Sequence, residues 1–324
     1  MRALLCTAWG GPETLTLGEL PDPTPGPGEV VIRARAAGVN FADTLMIQGK
    51  YQEKPAFPFA AGLEAAGEIV AVGQGVTHLR VGQRVLAALD HGGYAELVKA
   101  RASDSFAIPD AMDFVTAAGF PTTYGTAHGA LVWRAGLKAG ETLVVHGAAG
   151  GVGLATVEVG KAMGAHVIGT AGGADKIAVA REHGADAVID YKSEDLRARL
   201  KELTGGRGAD VYFDPVGGEV FEASLRAIAW EGRIVIIGFA GGGVPQIPAN
   251  ILLVKNCSAV GFYWGSYRRQ APDRLGAQFA DLFRWFEQGK LKPHVSHRLP
   301  LGRAAEAFEL LQSRKATGKV VVEI

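Results

Sequence analysis

The spacing of apolar positions changes near Tyr124. Before it, short apolar runs such as Val30-Val31-Ile32 and Ile69-Val70-Ala71-Val72 are broken by glycine and proline, which predicts a compact β-rich region. Residues 21–28 carry Pro21, Pro23, Pro25 and Pro27; a stretch missing so many backbone donors is neither helix nor central strand and reads as a rigid connector. After Tyr124, strand-like and helix-like segments alternate, the pattern of a parallel sheet covered by helices on both faces. Strands are predicted over 143–145, 167–168, 187–189, 211–213 and 234–237, with helices over 152–163, 176–183 and 221–229. A further helix is capped by Ser193, buries Leu196, Leu200 and Leu203 on one face, and stops at Gly205-Gly206. From about Phe262 the alternation ends. An amphipathic segment over 275–288 precedes a strand-like stretch at 297–299, a helix with Ala304, Phe308 and Leu311 on one face, and a last strand over 319–324. This tail is too small to be a domain. The expectation is an α/β chain in three parts: a β-rich domain over 1–122, a doubly wound parallel-sheet domain over 123–262, and a segment over 263–324 that returns to the first.

Composition narrows the function classes. The 33 basic side chains balance 33 acidic ones, and no run of Lys and Arg is long enough to release many counterions from a polyanion, so no nucleic-acid partner is expected. Glycine accounts for 45 of 324 residues, about twice the usual share and without a period, which excludes collagen and implies many tight turns. Cys6 and Cys257 are too few for a disulfide framework, as expected of a cytoplasmic protein. No window is apolar enough for a membrane span, and no secretory leader is evident.

The chemistry begins at His146-Gly147-Ala148-Ala149-Gly150-Gly151-Val152-Gly153, which follows a predicted strand and opens a predicted helix, the setting a dinucleotide-binding loop needs. Gly150 lets the backbone approach a pyrophosphate, Gly153 lets the helix lie close to the strand, and the free N–H groups of the first turn face the anion. Ala148 stands where the fingerprint has its first glycine. In NAD-preferring sites a carboxylate about 20 residues on holds the ribose hydroxyls; here Ile168-Gly169-Thr170-Ala171-Gly172-Gly173 has none. Lys176 and Tyr191 are placed to reach a 2′-phosphate, so the expected cofactor is NADPH, although Lys176 also reads as a solvated surface lysine.

With that loop in place, the chain resembles, end to end, the zinc-independent quinone oxidoreductases of the medium-chain dehydrogenase/reductase superfamily, the group that includes ζ-crystallin. The matching stretches are Ala37-Gly38-Val39-Asn40-Phe41-Ala42-Asp43, Gly62-Leu63-Glu64-Ala65-Ala66-Gly67, Gly82-Gln83-Arg84-Val85, the loop at 148–153, Gly172 with Lys176 and Tyr191, and Thr317-Gly318-Lys319. The resemblance implies a GroES-like catalytic domain and a Rossmann-type domain with the active site in the cleft between them. It places Asn40 beside the nicotinamide and acceptor as a donor to a developing oxyanion, Tyr51 in the acceptor wall, Thr126 near the nicotinamide, and Gly238, Phe239, Phe262 and Tyr263 in loops covering the cofactor; Lys319 joins the cofactor contacts. A second tyrosine of the acceptor pocket is replaced by Leu45. In the zinc-holding branch, a Cys and a His ligand stand where this chain has Asn40 and Leu63, so no metal is expected. Asp43 and Glu64 read either as paired carboxylates for acid–base work or as braces for neighbouring loops, the second being favoured.

Without zinc the expected acceptor is conjugated, because a quinone or an enone spreads the incoming charge itself. Quinone reduction is the first reading. An enone or enoyl-thioester reductase is the alternative, with Arg268-Arg269 as an anchor for an acidic tail. A non-catalytic NADPH-binding protein is the third. The resemblance implies a homodimer, and an open apolar edge strand near Ala259-Val260-Gly261 is where the two copies would pair.

Overall fold

The computed structural model describes residues 1–324. It divides into two compact units, one formed by Met1–Thr122, Tyr267–Phe283 and Pro293–Ile324, the other by Thr123–Ser266 and Arg284–Lys292. The tail is more interleaved than the sequence suggested, since residues 284–292 cluster with the second unit and residues 263–266 stay in it. No helix is long and apolar enough to cross a membrane.

In the first unit a seven-stranded sheet runs in the order Val295–Pro300, Lys319–Glu323, Glu29–Val39, Glu64–Val72, Arg84–Ala88 and Ser105–Ala107, with Leu97–Arg101 also pairing with Glu29–Val39. A small sheet of Leu15–Glu19, Arg2–Cys6 and Phe59–Ala60 accompanies it. Alternate residues of these strands, among them Val30, Ile32, Val85, Val320 and Val322, share one buried core with Met46, Ile47, Tyr94 and Phe308. One pairing matters most for function. Lys319–Glu323 lies antiparallel to Glu29–Val39 with Val320 opposite Val39 and Val321 opposite Gly38, which sets Lys319 at the end of the strand that leads into Asn40. The residues 21–28 connector has no regular structure, as its prolines require.

The second unit is a six-stranded sheet in which every pairing is parallel, ordered Ala187–Asp190, His166–Ala171, Thr142–Val145, Ala209–Asp214, Ile228–Ile236, Ser258–Gly261. The chain starts in the middle at Thr142–Val145, builds outward to one side, then crosses to the other, so the switch point lies between Thr142–Val145 and Ala209–Asp214. Leu143, Val144 and Val145 are wholly buried, as both faces of such a strand are covered.

Two local expectations change. The helix after the third strand is Leu196–Leu203, and its cap is Asp195, whose carboxylate accepts from Ala198 N at 2.7 Å; Ser193 sits in the preceding turn. The helix placed over 221–229 is Gly218–Arg226, because residues from Ile228 already belong to the next strand. Short helices at Phe41–Ile47, Pro121–Gly129 and Ala249–Lys255 carry too few periodic positions to have been read from the pattern.

Candidate active site

Because the second unit's strands are all parallel, the segments after their carboxyl ends gather along one edge. There lie Tyr191, Gly172, the glycine loop, Asp214 with Val216 and Gly217, Gly238 with Phe239, and Phe262 with Tyr263. Gly150 is the N-cap of the helix Gly151–Ala162, with no side-chain cap, so the first-turn N–H groups of Gly151, Val152 and Gly153 are turned to an incoming anion. A Cβ on Gly153 would stand 2.1 Å from Gly147 O, so only glycine lets the helix sit this close to the loop. A Cβ on Gly150 would meet nothing closer than Gly147 O at 3.4 Å, which leaves a cradle above it. Ala148 is tolerated at the first fingerprint position because its methyl lies over Gly169, where a second methyl would approach to 2.9 Å.

Beneath the loop, His146 is wholly buried. Ser224 gives its hydroxyl proton to Val220 O at 2.8 Å, so the imidazole Nε2–H donates to Ser224 Oγ at 2.7 Å and Nδ1 accepts from Thr170 Oγ1 at 3.1 Å. Burial holds this ring neutral by pushing its pKa below the usual value.

At the end of His166–Ala171, a Cβ on Gly172 would stand 2.6 Å from the Tyr191 hydroxyl, so the missing side chain makes room for the phenol. Lys176 sits on the first turns of the helix Ala174–Glu182, half-buried. Two neighbours went unnoticed in the sequence. Lys192 Nζ is 3.8 Å from where a Cβ of Gly173 would be. Asp190 brings a carboxylate to the same place, but its Oδ1 accepts from Lys192 N at 3.0 Å and Gly173 N at 3.2 Å. Those backbone donors, Lys192 N foremost, hold Asp190 below the usual carboxylate range. Their adjacency to Tyr191 was the available signal.

Thr126 is nearly buried on the helix Pro121–Gly129. Phe239 and Tyr263 are exposed, but Phe262 is only 6% exposed, with its ring 6.4 Å from that of Trp133 and against Gly129. Its ring is therefore packed inside the unit, unlike those of Phe239 and Tyr263.

The first unit holds a different kind of site. Asn40 precedes the helix Phe41–Ile47, and Asp43 reaches back to accept from Asn40 N at 2.7 Å. The Asn40 side chain faces the start of that helix and has two further partners. Its Nδ2 donates to Glu64 Oε1 at 2.8 Å and its Oδ1 accepts from Lys319 Nζ at 2.8 Å. Lys319 also donates to Glu64 Oε1 at 2.7 Å and Val39 O at 2.9 Å, and Glu64 Oε2 accepts from Thr122 N at 2.8 Å. Glu64 and Asp43 are wholly buried and Lys319 and Asn40 nearly so. Lys319 has three protons and three acceptors within this cluster, Val39 O, Asn40 Oδ1 and Glu64 Oε1, whereas the resemblance implied a cofactor contact. Glu64 braces this cluster. Asp43 accepts from the Tyr94 hydroxyl at 2.8 Å on Oδ2, while its buried Oδ1 has no partner. Burial lifts the Asp43 carboxyl from 3.8 to about 7, against the pull of the Asn40 N–H, the Tyr94 hydroxyl and Lys319. Tyr51 packs against the edge of the core, and Leu63 lies in it.

Arg268 and Arg269 are committed. Arg268 is buried, donating to Asp104 Oδ2 at 2.9 and 3.1 Å and to Leu89 O at 2.7 Å; Arg269 pairs with Glu53 at 2.8 Å. Arg268 is thereby taken up inside the first unit, while Arg269 stays at the surface.

Comparison with known proteins agrees with this layout. Residues 26–110 match the alcohol dehydrogenase GroES-like domain and residues 151–281 the zinc-binding dehydrogenase family. A quinone oxidoreductase-like protein 2 homolog of Nematostella vectensis is 43% identical over 99% of this chain and 88% of its own. The quinone oxidoreductase of Pseudomonas aeruginosa is 38% identical over 97% of each. The crystal structure of Escherichia coli quinone oxidoreductase complexed with NADPH superposes with a TM-score of 0.93 at 33% identity, covering 100% of both chains. With its GroES-like unit, its parallel-sheet unit and these relatives along its whole length, the chain belongs to the quinone oxidoreductase family of the medium-chain dehydrogenase/reductase superfamily.

Proposed function

We propose that this protein is an NADPH-dependent reductase that transfers a hydride to small quinones without a bound metal. The observation that carries the reading is the buried cluster of Asn40, Glu64 and Lys319. In the zinc-holding branch that the sequence resembles, Asn40 and Leu63 stand at ligand positions. Leu63 has no donor atom, and the oxygens of Asn40 and Glu64 already face the Lys319 ammonium at 2.8 and 2.7 Å. A dication placed there would meet that fixed positive charge, so these residues do not fit zinc. Without a Lewis acid, a saturated carbonyl lacks the polarisation it needs, whereas a quinone delocalises the incoming charge through its own ring.

Bound NADPH supplies the hydride. The residues that would hold it are the first-turn N–H groups of Gly151, Val152 and Gly153 for the pyrophosphate, and Lys176, Tyr191 and Lys192 for the 2′-phosphate. The Asp190 carboxylate near that phosphate is spent on backbone donors. Thr126, Gly238, Phe239 and Tyr263 would flank the remainder. One N–H of Asn40 is committed to Glu64; the other is the donor for the oxyanion that develops on the acceptor. Tyr51 supplies an aromatic wall beside the apolar Leu45. Small enones share the chemistry, but the burial of Arg268 leaves only Arg269 to support a long acidic substrate. The exposed edge strand Ser258–Gly261 would pair with that of a second copy to form a homodimer.

The test is anaerobic NADPH oxidation with quinones, enones, enoyl thioesters and saturated aldehydes, before and after dialysis against a chelator. Naphthoquinones leading in kcat/KM, with no loss after chelation, is the expected result. Enones or enoyl thioesters ahead by more than about tenfold, roughly 1.4 kcal/mol, would replace quinones as the substrate class. Sedimentation equilibrium tests the dimer; a monomer at micromolar concentration refutes it.

A further inference from the structure

We infer that Lys319 is the positioning residue that fixes which way the Asn40 amide faces, with Glu64 as its counter-charge. This rests on the reading of Asn40 as the donor to the acceptor's oxygen. A carboxamide presents an oxygen on one side and an NH2 group on the other, and a half-turn about its last side-chain bond exchanges them. An ammonium only donates, so the Asn40 atom 2.8 Å from Lys319 Nζ must be the oxygen. A carboxylate only accepts, so the atom 2.8 Å from Glu64 Oε1 must be the nitrogen. Flipping the amide would set NH2 against the ammonium and oxygen against the carboxylate, two repulsions in a site from which water is excluded. The two charges therefore hold one orientation.

The ion pair also selects which proton is left over. Lys319 Nζ touches both Asn40 Oδ1 and the same Glu64 Oε1 that takes the amide proton, at 2.8 and 2.7 Å. The bonded N–H is thus the one on the oxygen side of the amide, and the remaining N–H points away from the ion pair. Lys319 has no proton of its own to offer, since its third donates to Val39 O at 2.9 Å. Surrounding glycines keep the arrangement tight. A Cβ on Gly38 would stand 2.2 Å from Glu64 Oε1, and one on Gly119 would stand 3.1 Å from Lys319 Cγ. Lys319 acts on the reaction only through Asn40.

The experiment is a cycle of Asn40→Ala, Lys319→Met and the double variant, read by naphthoquinone reduction and by NADPH binding from fluorescence titration. Lys319→Met leaves the Glu64 carboxylate buried without its cation, so Glu64→Gln/Lys319→Met, which has no unpaired charge, is measured beside it and decides the matter if the single variant does not fold. Asn40→Ala should lower kcat about 100-fold. Lys319→Met and the Glu64→Gln/Lys319→Met pair should each lower kcat by about 30-fold, since a misdirected group loses up to about 100-fold. The NADPH Kd should stay within about twofold for both Lys319 variants, and Lys319→Met should add nothing to Asn40→Ala, because they remove one interaction. Wild-type turnover in the Lys319 variants alongside a slow Asn40→Ala overturns the positioning role and leaves the reading of Asn40 intact. Wild-type turnover in Asn40→Ala instead overturns that reading. A tenfold rise in NADPH Kd on Lys319→Met makes Lys319 a cofactor contact and overturns the proposal.

Discussion

The two units prepare their sites by opposite means. Around Asn40, charged side chains are buried and nearly every donor and acceptor is matched, so orientation comes from side-chain electrostatics. Along the carboxyl edge of the parallel sheet, glycines remove side chains and the helix at Gly151 leaves its first N–H groups uncapped, so affinity there comes from backbone held ready. The difference separates what a mutation disturbs. Damage to the first site should appear as lost stability and lost turnover; damage to the second should appear as lost cofactor binding in a chain that still folds.

The largest effect should come from stranding a charge. Glu64→Ala leaves the Lys319 ammonium buried without its carboxylate and should cost about 3–5 kcal/mol in a denaturant titration, whereas Glu64→Leu/Lys319→Met should recover most of it. If the single variant unfolds like the wild type, the first site is not built on paired charge. Next, Gly153→Ala places a methyl 2.1 Å from Gly147 O and should weaken NADPH binding about 100-fold, roughly 2.7 kcal/mol, while circular dichroism is unchanged. Lys176→Ala should weaken NADPH by about 1.5 kcal/mol, roughly tenfold, and leave NADH binding unaltered; equal wild-type affinity for the two nucleotides would remove the basis for it.

An effect of a different kind, one that depends on pH, belongs to Asp43. The folded chain keeps a proton on this carboxyl up to about pH 7, while the unfolded chain releases it near 3.8, so folding binds a proton between those values. Stability should therefore fall as pH rises from about 4 through 7. Asp43→Asn removes that contribution, so the variant should gain on the wild type between pH 5 and pH 8 in urea titrations. A pH-independent difference would mean that Asp43 is ionised throughout.

Much of the second unit could be read from its sequence because its signals are local. The strand at Leu143-Val144-Val145, the glycines that follow and the helix after them sit within about 20 consecutive residues, and alternation alone gives the parallel sheet. The first unit's cluster is non-local. Asn40 and Lys319 are 279 residues apart, and only the pairing of Glu29–Val39 with Lys319–Glu323 brings them together. Resemblance put Lys319 among the cofactor contacts and gave no sign of its three acceptors on Val39, Asn40 and Glu64. Arg268 misleads for a related reason: adjacent arginines look solvated until the fold places Asp104 and Leu89 O beside one of them. Resemblance put Phe262 in a loop covering the cofactor, and nothing nearby in sequence announces its packing on Trp133.

The pairing that supplies Lys319 also sets an order of events during synthesis. A ribosome makes Glu64 255 residues before it makes Lys319, and all of the second unit lies in between or just before the last strand. The nucleotide-binding sheet can be complete while the first unit still lacks its closing strand and Glu64 still lacks its cation. A nascent chain halted near residue 300 should thus retain NADPH on a resin yet leave the first unit open to protease, with reductase activity arriving only when the final strand docks.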